Sequence, residues 1–194
     1  MCPGTQKTGT QVLWTPRHSE HPSLGRVECV RGHVPAATVD AVSRVLVTGM
    51  SGAGKSTVLD ELRCRGFYAV DTDYDGWVLE DGNWDEPRMA RLLADHQDLV
   101  VSGTVENQVR FYGRFEHIVL LSAPLDVLLQ RVTERTNNPY GKSPAERDEI
   151  AHYVETVEPL LRRGATVELD GRLPVTELAD AIHRLISPNL IDCA

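Results

Sequence analysis

An α/β architecture, a parallel five-stranded sheet flanked by helices in three layers, is expected of this chain on three grounds. From Arg44 onward, short β-branched runs alternate with helical patterns, the order that produces parallel strands joined by crossover helices. A glycine-rich turn at residues 49–54 sits between the first of those runs and the first helical pattern. The length, 194 residues with 41% hydrophobic content, suits one domain around one core.

The first strand is expected at 44–48 (RVLVT). GMSGAGKST follows at 49–57, then a helix in which Val58, Leu59 and Leu62 recur at helical spacing to about Arg65. A second strand at 67–70 ends at Asp71-Thr72-Asp73. A polar stretch with Trp77 and Trp84 leads to a helix starting near Asp85, with Pro87 in its first turn and Met89, Leu92 and Leu93 on one face. The third strand, 99–102, is followed by Gly103-Thr104 and a helix over 105–115, and the fourth strand covers 118–121. After Pro124 comes a helix with Leu125, Leu128, Leu129 and Val132. It carries Arg131 and Arg135, four apart and so on one face. The segment 136–142 (TNNPYGK) is an excursion. Ser143-Pro144-Ala145-Glu146 is a capping box with proline at the first helical position, restarting a helix that runs to about Arg163. A fifth strand at 166–169 and a last helix at 175–186 complete the pattern.

Residues 1–43, with four prolines, four glycines and no sustained apolar period, are expected to be a flexible extension. Residues 44–187 form the expected domain and 188–194 a C-terminal tail. Acidic residues outnumber basic ones by 28 to 20, which argues against a general binder of nucleic-acid backbones, since that role needs a basic face. No stretch approaches the ~18 apolar residues of a membrane span, and the N-terminus lacks a basic segment followed by an apolar run, so a cytoplasmic location is expected. Cys2, Cys29, Cys64 and Cys193 contain no C-x-x-C pair and are expected as free thiols, with Cys64 a small buried hydrophobe on a helix. His18, His21 and His33 follow no metal-binding spacing.

Residues 49–56 satisfy G-x-x-x-x-G-K-[ST], and each part has a mechanical reason. Gly49, Gly52 and Gly54 let the backbone wrap so that successive N–H groups face a phosphate, while the helix that follows presents its positive N-terminus. Gly49, Ser51, Gly52, Ala53, Gly54, Lys55, Ser56 and Thr57 are therefore the candidate nucleotide-binding residues. Lys55 can reach the β and γ phosphates, and Ser56 offers a hydroxyl to Mg²⁺. Asp71 and Asp73 stand at the carboxyl end of the second strand, the edge where open α/β sheets bind ligands. One could hold a magnesium-bound water and the other bind an acceptor hydroxyl or take its proton, or both could close an Asx turn. Arg131 and Arg135 beside the excursion have the makings of a lid. A guanidinium there would stabilise charge on a transferring phosphoryl group, and the cover would exclude water. The candidate catalytic set is Lys55, Asp71, Asp73 and Arg135. Trp77 and Trp84 either frame an acceptor pocket or anchor their segment. Glu106 and Asn107 could touch the acceptor, but are expected rather as surface residues at a helix start.

Together these residues resemble the small P-loop kinases of the nucleoside monophosphate kinase, shikimate kinase and gluconate kinase group, over about residues 44–186. The resemblance implies a P-loop NTPase fold with a lid and a small acceptor-binding segment, and transfer of a phosphoryl group from ATP, with Mg²⁺, to a small-molecule hydroxyl. Asp71-Thr72-Asp73 resembles the motif after the second strand of shikimate kinases. That likeness implies a magnesium-water role for Asp71, with Ser56 the other metal ligand, and an acceptor role for Asp73. Arg131 and Arg135 resemble the lid-edge arginines of adenylate kinases, which contact adenine and phosphates, and residues 170–174, with Arg172, lie where these families wrap a loop over adenine. Residues 102–110 resemble gluconate kinases, with Arg110 as the acceptor-binding candidate. The chain departs from shikimate kinases in having Ser102-Gly103-Thr104 in place of a glycine triplet, and Val157-Glu158 before Pro159-Leu160 in place of an acceptor-binding arginine. It also lacks the acid that ends the third strand of adenylate kinases. A nucleotide and a small-molecule acceptor are the expected partners, with neither nucleic acid nor membrane. Two alternatives stay open: a nucleoside monophosphate kinase and a nucleotide-binding regulatory ATPase of low turnover. A GTPase switch is disfavoured because no N-K-x-D base-reading motif is present.

Overall fold

The computed structural model describes residues 43–74 and 76–187. The extension expected at 1–43 therefore lies outside the described residues except for Ser43, as does the tail at 188–194. The described residues build one five-stranded parallel sheet in the order β2-β3-β1-β4-β5. Its strands are β1 (Ser43–Thr48), β2 (Ala69–Asp71), β3 (Asp98–Ser102), β4 (His117–Ser122) and β5 (Val167–Asp170). The helices are α1 (Lys55–Cys64), α2 (Glu86–Asp95), α3 (Leu125–Glu134), α4 (Pro144–Thr156), α5 (Glu158–Gly164) and α6 (Val175–Ile186).

The central strand β1 is apolar on both faces because helices cover both. Alternate side chains of a strand point to opposite faces. Val45 and Val47 accordingly pack with Leu59 and Leu62 of α1 and Ile182 of α6, whereas Leu46 packs with Trp84, Met89 and Leu93 on the α2 side. The sheet is thus the middle of three layers. The chain turns left from β1 to β2 and β3, then right to β4 and β5, and this reversal opens a crevice at the carboxyl ends of β1 and β3.

Helix ends follow the local chemistry. Asp85 caps α2 by accepting the Arg88 amide at 3.0 Å. Ser143 and Glu146 form the expected reciprocal box at α4: Ser143 Oγ accepts the Glu146 amide at 3.2 Å, and Glu146 Oε2 accepts the Ser143 amide at 3.0 Å. Four expectations change. The helix expected from 143 to 163 is two, broken at Val157, because Pro159 lacks an N–H and its ring crowds the preceding turn. Residues Glu106–Arg114 form 3-10 turns, in which Asn107 and Gln108 turn inward to tertiary partners. Arg135 has left the helix (ψ 146°), so it does not share a helical face with Arg131. Cys64, expected as a buried residue, is only half-buried at the end of α1. Among the described residues no helix is long and apolar enough to cross a membrane.

Candidate functional site

The site begins where β1 ends. Gly49 and Gly52 have φ of 148° and 88°, and a Cβ on either would stand 2.3 Å from Leu121 O or 2.6 Å from Leu128 O. The loop is pressed against the carboxyl end of β4 and the start of α3 so closely that only glycine fits. Gly54, left-handed, opens α1, whose first amides have no partner inside the helix. Lys55 is 9% exposed and folds over the loop, its Nζ donating to Gly49 O at 2.7 Å.

This loop floors a cleft of about 530 Å³. Residues 50–58 line it from below, Asp73 and Tyr74 from the end of β2, Arg131 and Arg135 from the end of α3, Asn137 and Asn138 from the excursion, and Gly171 and Leu173 from the turn after β5. Arg131 Nη1 donates to Gly52 O at 3.3 Å, tying α3 to the loop. A Cβ on Gly171 would stand 2.8 Å from Ala53 O, so that turn also rides on the loop. Of the residues singled out in the sequence, Ser51–Thr57, Asp73, Arg131 and Arg135 meet around one cavity. Gly49 bonds Lys55 beneath it.

Asp71 is 5% exposed, beside Ser56 and Lys55. One carboxylate oxygen accepts the Asp73 amide at 3.2 Å, which is the Asx turn, and the other, Oδ2, is buried with no hydrogen-bond partner. Burial above all, and then the Asp73 charge, push its pKa up; the Ser56 hydroxyl, the Asp73 amide and the Lys55 ammonium pull it down by less. Arg135 donates through Nη2 to Tyr140 O at 2.9 Å, while its Nε is buried without a partner. Burial lowers its pKa, with Tyr74, Asp73 and Tyr140 opposing.

Two sequence candidates stand elsewhere. Arg110 is exposed and paired with Glu86 at 2.7 Å. Arg172 is paired with Asp170 at 2.6 Å, and its neighbours Gly171 and Leu173 reach the cleft instead. The tryptophans are anchors: Trp77 and Trp84 are buried, and Trp84 Nε1 donates to Thr72 Oγ1 at 2.8 Å. Asn107, expected at the surface, is buried; its Oδ1 accepts the Trp84 amide at 3.0 Å and its Nδ2 donates to Trp84 O at 3.1 Å.

Sequence reasoning missed Tyr74 and Asn138, which line the cleft together with Asp73 and Arg135. It also missed the lacing of the excursion: Tyr140 OH donates to Glu149 Oε2 at 2.7 Å, and Lys142 Nζ donates to Thr133 O and Arg135 O. Their only signal was a tyrosine beside each polar motif.

A family model described as AAA domain (AAA_18) matches residues 45–152, from β1 into α4. The chain belongs to the AAA domain family. A nucleotide-binding protein of Rhodospirillum rubrum is 31% identical over 149 residues, 72% of this AAA domain chain and 46% of the relative. The chain thus spans about half the length of the curated relatives it matches. Among solved structures, a shikimate kinase from Acinetobacter baumannii in complex with shikimate aligns with TM-score 0.59 and 21% identity, covering 77% of this chain and 96% of that one. A gluconokinase from Sinorhizobium meliloti aligns with TM-score 0.50 and 17% identity, covering 76% and 95%. These likenesses show that this AAA domain has the three-layer fold of small P-loop kinases, the group its sequence resembles.

Proposed function

We propose that this protein transfers the terminal phosphoryl group of ATP, with Mg²⁺, to a hydroxyl-bearing small molecule. The observation that carries the reading is the convergence on one cleft of the phosphate loop with Lys55, the carboxylate of Asp73, and the guanidinium groups of Arg131 and Arg135. In this reading residues 51–57 bind the phosphates through backbone N–H groups, and Arg131 with the 171–173 turn flanks the base. Asp73 orients the acceptor hydroxyl and can take its proton. Arg135, held by Tyr140, faces the charge that spreads over the phosphoryl oxygens. The segment 136–142 excludes water that would compete with the acceptor.

The residues fit magnesium. Asp71 Oδ2 is a buried, unpartnered carboxylate oxygen near the Ser56 hydroxyl, and oxygen ligands are what this ion prefers. Ser56 and Asp71 would hold it, Asp71 through water. Among the described residues no group of three or more His, Cys, Asp or Glu could hold a metal, so most ligands would come from water and phosphate. When bound, the ion supplies neutralisation of phosphate charge.

A second reading, a nucleotide-binding ATPase of low turnover, is favoured by the names of the curated relatives. One experiment separates the two. Thermal-shift screening of hydroxyl metabolites and nucleoside monophosphates, with magnesium and a non-hydrolysable ATP analogue bound, identifies acceptors through stabilisation by mass action. ADP release is then measured. A kinase gives acceptor-dependent ADP release that Lys55→Met abolishes without unfolding the protein. Full activity of that variant, or slow ADP release unaffected by every acceptor, overturns the kinase reading.

A further inference from the structure

We propose that Thr104 is a positioning residue for Lys55, acting through the Gly49 carbonyl; the inference rests on the phosphate-binding reading above. Thr104, in the loop after β3, bonds both backbone polar groups of Gly49, the N–H of the peptide before it and the C=O of the peptide after it. Its hydroxyl donates to Gly49 O at 2.9 Å, and its Oγ1 accepts the Gly49 amide at 3.4 Å. The same carbonyl accepts Lys55 Nζ at 2.7 Å. A carbonyl oxygen has two lone pairs, and here the ammonium and the hydroxyl take both.

The hydrogen bonds behind Thr104 are compatible with that direction. Gln108, buried, accepts the Val105 amide on Oε1 at 3.4 Å, so its Nε2 faces Thr48 Oγ1 at 3.4 Å and Tyr112 OH at 3.0 Å. Thr48 Oγ1 accepts that amide proton and, with Thr104 donating to Gly49 O, is the donor to Thr104 Oγ1, 3.2 Å away, that completes the run. Thr104 then has its proton free for Gly49 O. A one-way run of donors thus leads from the core to the first glycine of the phosphate loop. On the opposite side, the space a Cβ of Gly49 would need is filled by Leu121 O at 2.3 Å. The Gly49 backbone thus lies between Leu121 of β4 and the Thr104 hydroxyl.

An ammonium has three donors. With one committed to a carbonyl that Thr104 also holds, the other two are left for a ligand in the cleft that Lys55 lines, which is the preorganisation that phosphoryl recognition needs. Thr104 does not itself line the cleft. Losing its hydroxyl leaves the loop's shape to the glycines and α1 but frees the peptide that aims Lys55.

The test compares two affinities in the full-length chain with magnesium, one for a non-hydrolysable ATP analogue and one for ADP. Lys55 reaches the γ as well as the β phosphate, so Thr104→Val weakens the analogue by roughly tenfold and ADP by about twofold or less. Thr104→Ser, which keeps the hydroxyl, restores the wild-type ratio. Thr104→Ala, which adds no methyl beside Gly49 O, repeats the valine pattern. In a Lys55→Met background, Thr104→Val changes the analogue's affinity by less than about twofold, because residues acting as one unit are not additive. Equal losses for both nucleotides, no rescue by serine, or a full Thr104→Val effect without Lys55 overturns the proposal. Failure of the wild-type protein to bind either nucleotide overturns the phosphate-binding reading instead.

Discussion

The Asp71 carboxylate is buried at the end of β2 with one oxygen bonded to the Asp73 amide and the other without a partner. Such an arrangement costs folding free energy, because a charge withdrawn from water needs compensation. The cost has a pH signature. Its pKa in the folded protein is raised by burial and by Asp73, so the folded state binds the proton more tightly than the unfolded chain does. Stability contributed by the neutral acid is present at low pH and is lost as pH climbs from the ordinary carboxylate value to the raised one, at about 1.4 kcal/mol for each pH unit between them. Asp71→Asn removes that dependence. Without ligand the variant is expected to melt above the wild type at pH 7 and to converge with it near pH 4, while losing magnesium-dependent stabilisation by nucleotide. Melting curves across that range check it, and a variant less stable than wild type at pH 7 refutes the account. A residue that weakens the fold and strengthens only the liganded state is the stability cost that functional sites carry.

At the scale of elements, the excursion between α3 and α4 is built rather than loose. Tyr140 and Tyr153 both donate to Glu149, at 2.7 and 3.1 Å, Arg147 donates to Lys142 O at 2.6 Å, and Arg135 donates to Tyr140 O. Glu149→Ala strips two half-buried phenols of their acceptor, a loss of about 1–3 kcal/mol. It is expected to lower the melting temperature and to speed proteolysis within 136–142 several-fold, because local opening sets cleavage. Unchanged cleavage would show that Glu149 does not hold the segment. The position of the excursion was legible from proline, glycine and the capping box at Ser143, which are local signals. α6 was legible too, since Leu178, Ala179, Ile182 and Ile186 repeat at helical spacing after Pro174. What escaped depends on contacts distant in sequence. The Arg110 partner is 24 residues away, and the Thr104 partner lies 55 residues back across β1. Asn107 turned inward because Trp84 needed its amide. Composition alone carries none of this.

For the whole molecule, the strand order puts the glycine-rich loop after β1, the end of β2 and the excursion after α3 on one edge of the sheet, while separate parts of the core hold them. The loop rests on the cluster around Leu59 and Leu121, whereas Trp84 and Met89 belong to the cluster across the sheet. A nucleotide bound in the cleft as proposed would touch elements braced from both layers, so its binding energy would stabilise the domain as a unit. At a nucleotide concentration a hundredfold above Kd the gain is about 2.7 kcal/mol, which for a chain of this size raises the melting temperature by roughly 5–10 °C. If Ser56 and Asp71 complete a magnesium site, most of that rise requires the ion. ATP analogue with magnesium is expected to give the full rise, and the same nucleotide with chelator a small fraction of it. Magnesium alone adds little, since phosphate supplies most of its ligands. Differential scanning calorimetry of the four combinations decides. A full rise in chelator would separate nucleotide binding from the Asp71–Ser56 pair and leave that buried carboxylate without its proposed role.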